Sequence, residues 1–304
     1  MYLIETQGLC KKYGGKLVID HVDMHITEGS IYGFVGENGS GKTTIMRLLT
    51  GLATPNEGRY SLFGVDFKDP KIYEARREIA AIVEAVSFVP SMTAIDNIIY
   101  QEKYLGIELT PEEREALLKL VHLDQVGKKK VKNFSLGMKQ RLGIALAMIK
   151  KPKLIFLDEP MKGLDPQGLV ELRDLLIELN QKEGMTVLIS SHILSELEKI
   201  ASVYGFISHG RIVEEISVEE LLAKCEKALV IKVENVQEAE AVVKEMKIQK
   251  YKTFPNGDVY IYDEVNIGET VSYFNKKKIN ILAINSVDES VEEYYLKLIN
   301  KGAN

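Results

Sequence analysis

Apolar residues along the chain fall into two kinds of run. Ile31 to Val35, Lys153 to Leu157 and Thr186 to Ser190 are short, nearly continuous apolar stretches bounded by polar residues. Such runs suit strands buried on both faces, as in a parallel sheet. Between them, Pro111 to Val121, Leu136 to Lys150 and Gly168 to Asn180 carry helical patterns. Thr110 before Pro111 suits an N-cap followed by proline at the first helical position. An α/β fold with a mainly parallel sheet follows. After about Lys224 the alternation changes. Ala228 to Val233 reads as a strand and Val236 to Met246 as a helix. Lys250 to Phe254, the turn residues Pro255, Asn256 and Gly257, and Val259 to Tyr262 read as a hairpin. Ile267 to Asn275 reads as a helix, Asn280 to Asn285 as a strand and Ser290 to Ile299 as a last helix. This is a small α+β unit, a plausible second domain.

Composition narrows the field without naming a function. The 304 residues suit two domains, and 45% hydrophobic residues can form a buried core. Acidic residues outnumber basic ones, 44 to 39, for a net charge of -5, which argues against general nucleic-acid binding. Cys10 and Cys225 match no metal spacing; they could form one disulfide, but read better as two buried or free thiols in a reducing compartment. No apolar run is long enough to span a membrane, and the start, Met1 to Thr6, has no signal-peptide character. A cytoplasmic protein is expected, with any membrane role requiring a partner that supplies the spanning helices.

The first chemistry lies just after the run Ile31 to Val35. Gly36-Glu37-Asn38-Gly39-Ser40-Gly41-Lys42-Thr43 matches the phosphate-binding loop G-x-x-x-x-G-K-[ST], with a strand before it and a helix starting near Thr44. Glycines let backbone N–H groups turn onto phosphate oxygens, and the helix N-terminus adds partial positive charge. Gly36, Asn38, Gly39, Ser40, Gly41, Lys42, Thr43 and Thr44 are the candidate nucleotide contacts. Lys42 should reach the β- and γ-phosphates, and the Thr43 hydroxyl should ligate Mg²⁺. The loop alone leaves an ABC ATPase, a GTPase and a small-molecule kinase open. The nearest approach to a guanine reader, Asn275 to Lys278, lacks the aspartate. The second chemistry is Leu154 to Pro160, an apolar strand ending in Asp158 and Glu159. Beside the loop, Asp158 would hold Mg²⁺ and Glu159 would polarise the attacking water as general base. A bland strand capped by solvated acids is the competing reading.

Over about residues 1 to 220 these features resemble the ABC transporter ATPase family. Asn133 to Arg141, reading N-F-S-L-G-M-K-Q-R, is similar to the family's signature, and falls between the loop and the acid pair. The resemblance implies that Ser135 and Gly137 touch the γ-phosphate held by an opposite subunit, while Ser135 also suits a helix N-cap. Gly163-Leu164-Asp165 resembles the D-loop at the dimer interface, Ser190-Ser191-His192 the switch histidine, and Lys12-Tyr13-Gly14 the loop whose aromatic ring stacks on adenine. After the strand Ile79 to Val83 the family carries glutamine, whereas this chain has Glu84, a stronger ligand for a hard cation. Glu84 and the signature together resemble the bacitracin- and lantibiotic-resistance exporters. The implied fold is a P-loop NTPase cassette, residues 1–222, with a parallel core sheet, an N-terminal antiparallel β part and a helical subdomain at about residues 86–150. Residues 225–304 would form the α+β accessory domain. The implied cofactors are ATP and Mg²⁺. The implied partners are a second copy of the chain, paired head to tail around two ATP, and a membrane permease gripped by the helical subdomain. The competing classes are a soluble ABC ATPase without a transporter and a regulatory module with little turnover. The second domain either regulates the dimer, docks the partner or merely stabilises.

Overall fold

The computed structural model describes residues 1–84, 87–225, 227–288 and 290–301. Val86, the expected start of the helical subdomain, lies outside them, as do residues 302–304 of the expected second domain. The chain divides into two compact units, one built on Met1–Val218 and the other on Glu219–Asn300.

Among the described residues the first unit has ten strands: β1 Tyr2–Tyr13, β2 Lys16–Thr27, β3 Ile31–Val35, β4 Glu57–Leu62, β5 Val65–Asp66, β6 Ile79–Ile82, β7 Leu154–Asp158, β8 Thr186–Ser191, β9 Val203–Ser208 and β10 Arg211–Ser217. Its helices are α1 Lys42–Leu49, α2 Ile72–Ala75, α3 Ala94–Leu105, α4 Pro111–Leu120, α5 Leu136–Met148, α6 Pro166–Glu183 and α7 Leu194–Leu197, with α8 Val218–Lys224 at the division between the units. One sheet has the order β2-β1-β4-β5, antiparallel throughout. The other has the order β10-β9-β3-β8-β7-β6, parallel from β9 to β6 with β10 antiparallel at one edge. Every residue of β3 and β8 is buried. Burial on both faces is why these strands read as unbroken apolar runs rather than alternating ones.

The core joins the two sheets across α1. Ile4, Ile19, Met24 and Leu62 from the antiparallel sheet meet Ile45, Leu48 and Leu49 of the helix and Phe34, Phe156 and Leu188 of the parallel sheet. Helix α5 is buried along most of its length, including Leu142, Ile144, Ala145, Leu146 and Met148. It lies against α3, α4 and α6. Thr93 and Thr110 close capping boxes at the starts of α3 and α4, each hydroxyl accepting from the third backbone N–H of its helix.

The second unit contains β11 Lys227–Val233, β12 Tyr251–Thr253, β13 Asp258–Ile261 and β14 Ile281–Asp288, with α9 Val236–Glu245, α10 Ile267–Lys276 and α11 Val291–Lys301. Its sheet, in the order β12-β13-β11-β14, is antiparallel. Ile231, Val243, Val259, Ile261 and Phe274 form its core. Among the described residues no helix is long and apolar enough to cross a membrane, and Cys10 and Cys225 are both buried.

Candidate functional site

The site is assembled at the carboxyl ends of β3, β7 and β8, where open parallel sheets bind ligands. Residues 36–41 leave β3 and turn into α1. Gly41 caps this helix with φ 115°, a backbone that side chains rarely adopt. A Cβ on Gly36 would lie 2.5 Å from the Ile207 carbonyl oxygen, so the loop needs glycine there for close approach. Lys42 is buried; its Nζ donates to the carbonyls of Gly36 at 2.6 Å and Glu37 at 3.1 Å, and lies 3.5 Å from Glu159 Oε1. Its charge is therefore held over the loop.

Asp158 ends β7 and links three elements. Its Oδ2 accepts from Thr43 Oγ1 at 2.7 Å, and its Oδ1 accepts from Ser190 Oγ at 2.6 Å. Ser190 in turn accepts from the Glu159 backbone N–H at 2.9 Å, which fixes the turn where Glu159 takes φ 49°. His192 Nδ1 lies 2.6 Å from Glu159 Oε2. An ionised carboxylate only accepts, so Nδ1 carries the proton. Glu159 Oε1 is buried and has no hydrogen-bond partner, and the same holds for Ser40 Oγ. Neither atom is hydrogen-bonded where buried polar groups normally are, although Lys42 Nζ stands 3.5 Å from Glu159 Oε1.

The expected residues Asn38, Gly39, Gly41, Lys42, Thr43 and Thr44 line one cavity of about 510 Å³. Glu84, Asp158 and Glu159 line it too, with Val18, Gln140 and Lys162, which sequence reasoning did not single out. Thr43 and Asp158 present hydroxyl and carboxylate oxygens side by side, a hard donor set that suits Mg²⁺. Glu84 forms an ion pair with Arg47 of α1. His192 joins the group through Glu159 rather than as a cavity wall.

The remaining expected residues sit elsewhere. Gly36 and Ser40 lie in the loop but off the cavity wall. Tyr13 is at the end of β1, exposed, with Lys11 Nζ 5.0 Å from its ring centre. Ser135 caps α5, its hydroxyl accepting from the Met138 N–H at 3.2 Å. Asp165 caps α6 and accepts from the Gly168 N–H at 2.9 Å. Gly137 faces Gly168, where an added Cβ would meet the Gly168 Cα at 3.5 Å. None of Tyr13, Ser135, Gly137 and Asp165 lines the cavity. Ser190 has a role at the site that the sequence did not signal. The motif Ser190-Ser191-His192 marked its place, but nothing in the sequence signalled that its hydroxyl ties Asp158 to Glu159.

The ABC transporter family profile matches residues 19–162. An uncharacterised ABC transporter ATP-binding protein of Bacillus subtilis (strain 168), YcbN, is 40% identical over 98% of this chain and 97% of its own. The bacitracin transport ATP-binding protein BcrA of Enterococcus faecalis is 37% identical over 99% of this chain and 97% of its own. The lantibiotic transport ATP-binding protein SrtF of Streptococcus pyogenes is 42% identical over 70% of this chain and 90% of its own. Among solved structures, the dimeric ATP-binding cassette MJ0796, bound to ADP and Pi, shares the fold with a TM-score of 0.61 and 24% identity, over 71% of this chain and 98% of its own. With such identity along nearly the whole of both chains, and with a phosphate loop facing a carboxylate pair in one cavity, this protein belongs to the ABC transporter ATP-binding proteins, the ATP-hydrolysing subunits of ABC transporters.

Proposed function

We propose that two copies of this chain close around two ATP molecules and that their hydrolysis drives a separate membrane permease exporting a peptide antibiotic or similar compound. The observation that carries the catalytic part is Glu159. One of its oxygens is held by His192; the other is buried without a hydrogen bond, 3.5 Å from the Lys42 ammonium, at the wall of the cavity that also holds Lys42 and Thr43. A carboxylate in that state can accept a proton from water lying against a terminal phosphate. Lys42 and the backbone N–H groups of residues 36–41 bind the phosphates. His192 keeps Glu159 oriented, and Tyr13 supplies a face for the adenine. Mg²⁺, held by Thr43, Asp158 and Glu84, would neutralise charge that develops on the phosphate oxygens.

The separation of the parts supports pairing of two copies. Ser135 and Gly137 start a helix whose N-terminus suits a phosphate, yet they lie off the cavity of their own chain. A second copy, related by a two-fold axis, would bring them and Asp165 to it. Binding of ATP would favour the closed pair, and loss of phosphate the open one.

The permease reading has its support on the helical part. Tyr100 and Tyr104 stand one turn apart on α3, 53% and 78% exposed, a surface that suits an apolar partner. Docking there would hold the chain at the cytoplasmic face of the membrane. The cargo class rests on the likeness to BcrA and SrtF. The second unit is read as an accessory domain that adjusts this assembly.

The turnover of Glu159→Gln tests the catalytic part. ATP binding should be retained and phosphate release should fall by about two to four orders of magnitude. Turnover at the wild-type rate would overturn the assignment.

A further inference from the structure

Glu84 and Glu159 occupy equivalent places just past the ends of neighbouring strands. Ile82 of β6 pairs with Leu157 of β7, and each glutamate follows two residues later with a left-handed backbone, φ 73° and 49°. Together with Asp158 they put three carboxylates on the wall of one cavity that is built for a polyanion. Unbalanced, the outer carboxylate of Glu84 repels the triphosphate whenever no divalent cation is bound. The balancing charge comes from α1, the helix that begins with Lys42 and Thr43. Its Arg47 donates through Nη2 to Glu84 Oε1. The two side chains are 38% and 58% exposed, so the pair contributes little to folding and is open to exchange.

We infer that Arg47 is a positioning residue that competes with the divalent cation for the Glu84 carboxylate and so sets how much cation the site requires. The inference rests on the reading of Thr43 and Asp158 as cation ligands. In the ion-paired arrangement Glu84 is neutralised at the edge of the cavity. When the cation enters beside Thr43 and Asp158, the carboxylate leaves the guanidinium for the metal. A glutamine at this position carries no charge for Arg47 to hold, so the competition exists only because residue 84 is glutamate.

The test measures Mn²⁺ bound to the full chain, by electron paramagnetic resonance, with the β,γ-imido analogue of ATP so that no turnover intervenes. Arg47→Gln should tighten Mn²⁺ binding about two- to fivefold, the scale of an exposed ion pair. Arg47→Lys should return the wild-type value. In a Glu84→Gln background, Arg47→Gln should change nothing. The inference is overturned if Arg47→Gln leaves the affinity unchanged with Glu84 present. It is equally overturned by the same shift in both backgrounds, because Arg47 would then act on the cation by its charge alone. Thr43→Ala separates the underlying reading. If Mn²⁺ binds that variant as tightly as wild type, the cation assignment itself fails, whatever residue 47 does.

Discussion

Removing the Ser190 hydroxyl should damage folding and chemistry together. Ser190 is fully buried, and its single oxygen donates to Asp158 and accepts from the Glu159 backbone. Ser190→Ala deletes one atom, so the cavity left is small and the cost comes from the orphaned partners. A hydrogen bond to an ionised carboxylate is worth about 1.5–3 kcal/mol, and a buried N–H left unsatisfied costs about 1–3 kcal/mol. Asp158 keeps its bond from Thr43, so the two terms do not add fully, and a net loss of about 3 kcal/mol is expected. With a urea slope of about 2–3 kcal/mol/M, the unfolding midpoint of the first unit should drop by roughly 1 M. Far-UV circular dichroism can follow it, since the chain has no tryptophan. The same change frees Asp158 and the Glu159 turn, and a lost outer-shell partner typically costs about 10- to 100-fold in metal affinity or activity. ATPase assays at limiting and saturating Mg²⁺ should therefore show a higher Mg²⁺ requirement. An unchanged urea midpoint together with an unchanged Mg²⁺ curve would refute the reasoning.

Two further outcomes follow from buried charges in the helical part. Arg141 of α5 donates to the carbonyls of Val121 at 2.9 Å and His122 at 3.0 Å and pairs with Glu171 of α6 at 2.8 Å. Arg141→Met keeps the apolar stem but strands these acceptors, which should cost about 3–5 kcal/mol. The melting temperature should fall by about 10 °C, and a fall of under about 1 °C would contradict this. Glu102, with its side chain 3% exposed, accepts from Arg114 through both oxygens, and that guanidinium holds its carboxyl below the ordinary glutamate range. A depressed folded pKa means stability that is complete above the ordinary value and is lost as pH falls through the folded one. Urea midpoints from about pH 6 to about pH 3 should decline less steeply for Glu102→Gln than for wild type, and parallel curves would contradict the assignment.

What could be read from the chain and what could not divide along physical lines. Strands β3, β7 and β8 were legible because burial on both faces leaves a continuous apolar signature. The small helix and strand pattern after Lys224 was legible because α9 and α10 each bury one stripe against one face of a sheet. The two longest strands, β1 and β2, were not read residue by residue. Their ladder shifts register between Thr6 and Leu9 and again between Leu9 and Lys11, which breaks the alternation that marks a half-buried strand. In the site, the phosphate loop and acid pair stood out because their chemistry demands fixed residue types at fixed spacing. Ser190 and Arg47 did not. The sequence marked Ser190 only as part of a buried strand and of the Ser190-Ser191-His192 motif, and left Arg47 unmarked; neither has a visible carboxylate partner until the fold supplies one. Lys162 entered the cavity wall through the fold alone, and Gln140, although inside the signature stretch, carried no sign that it would face the phosphate loop of its own chain.

Light scattering of Glu159→Gln, with and without saturating ATP and Mg²⁺, bears most directly on the sandwiched nucleotide. With ATP the particle should carry the mass of two chains, and Ser135→Glu added to that variant should return it to one. A particle of one chain at saturating ATP, or a pair indifferent to Ser135→Glu, would contradict a nucleotide clasped between the Lys42 loop of one copy and the α5 start of the other.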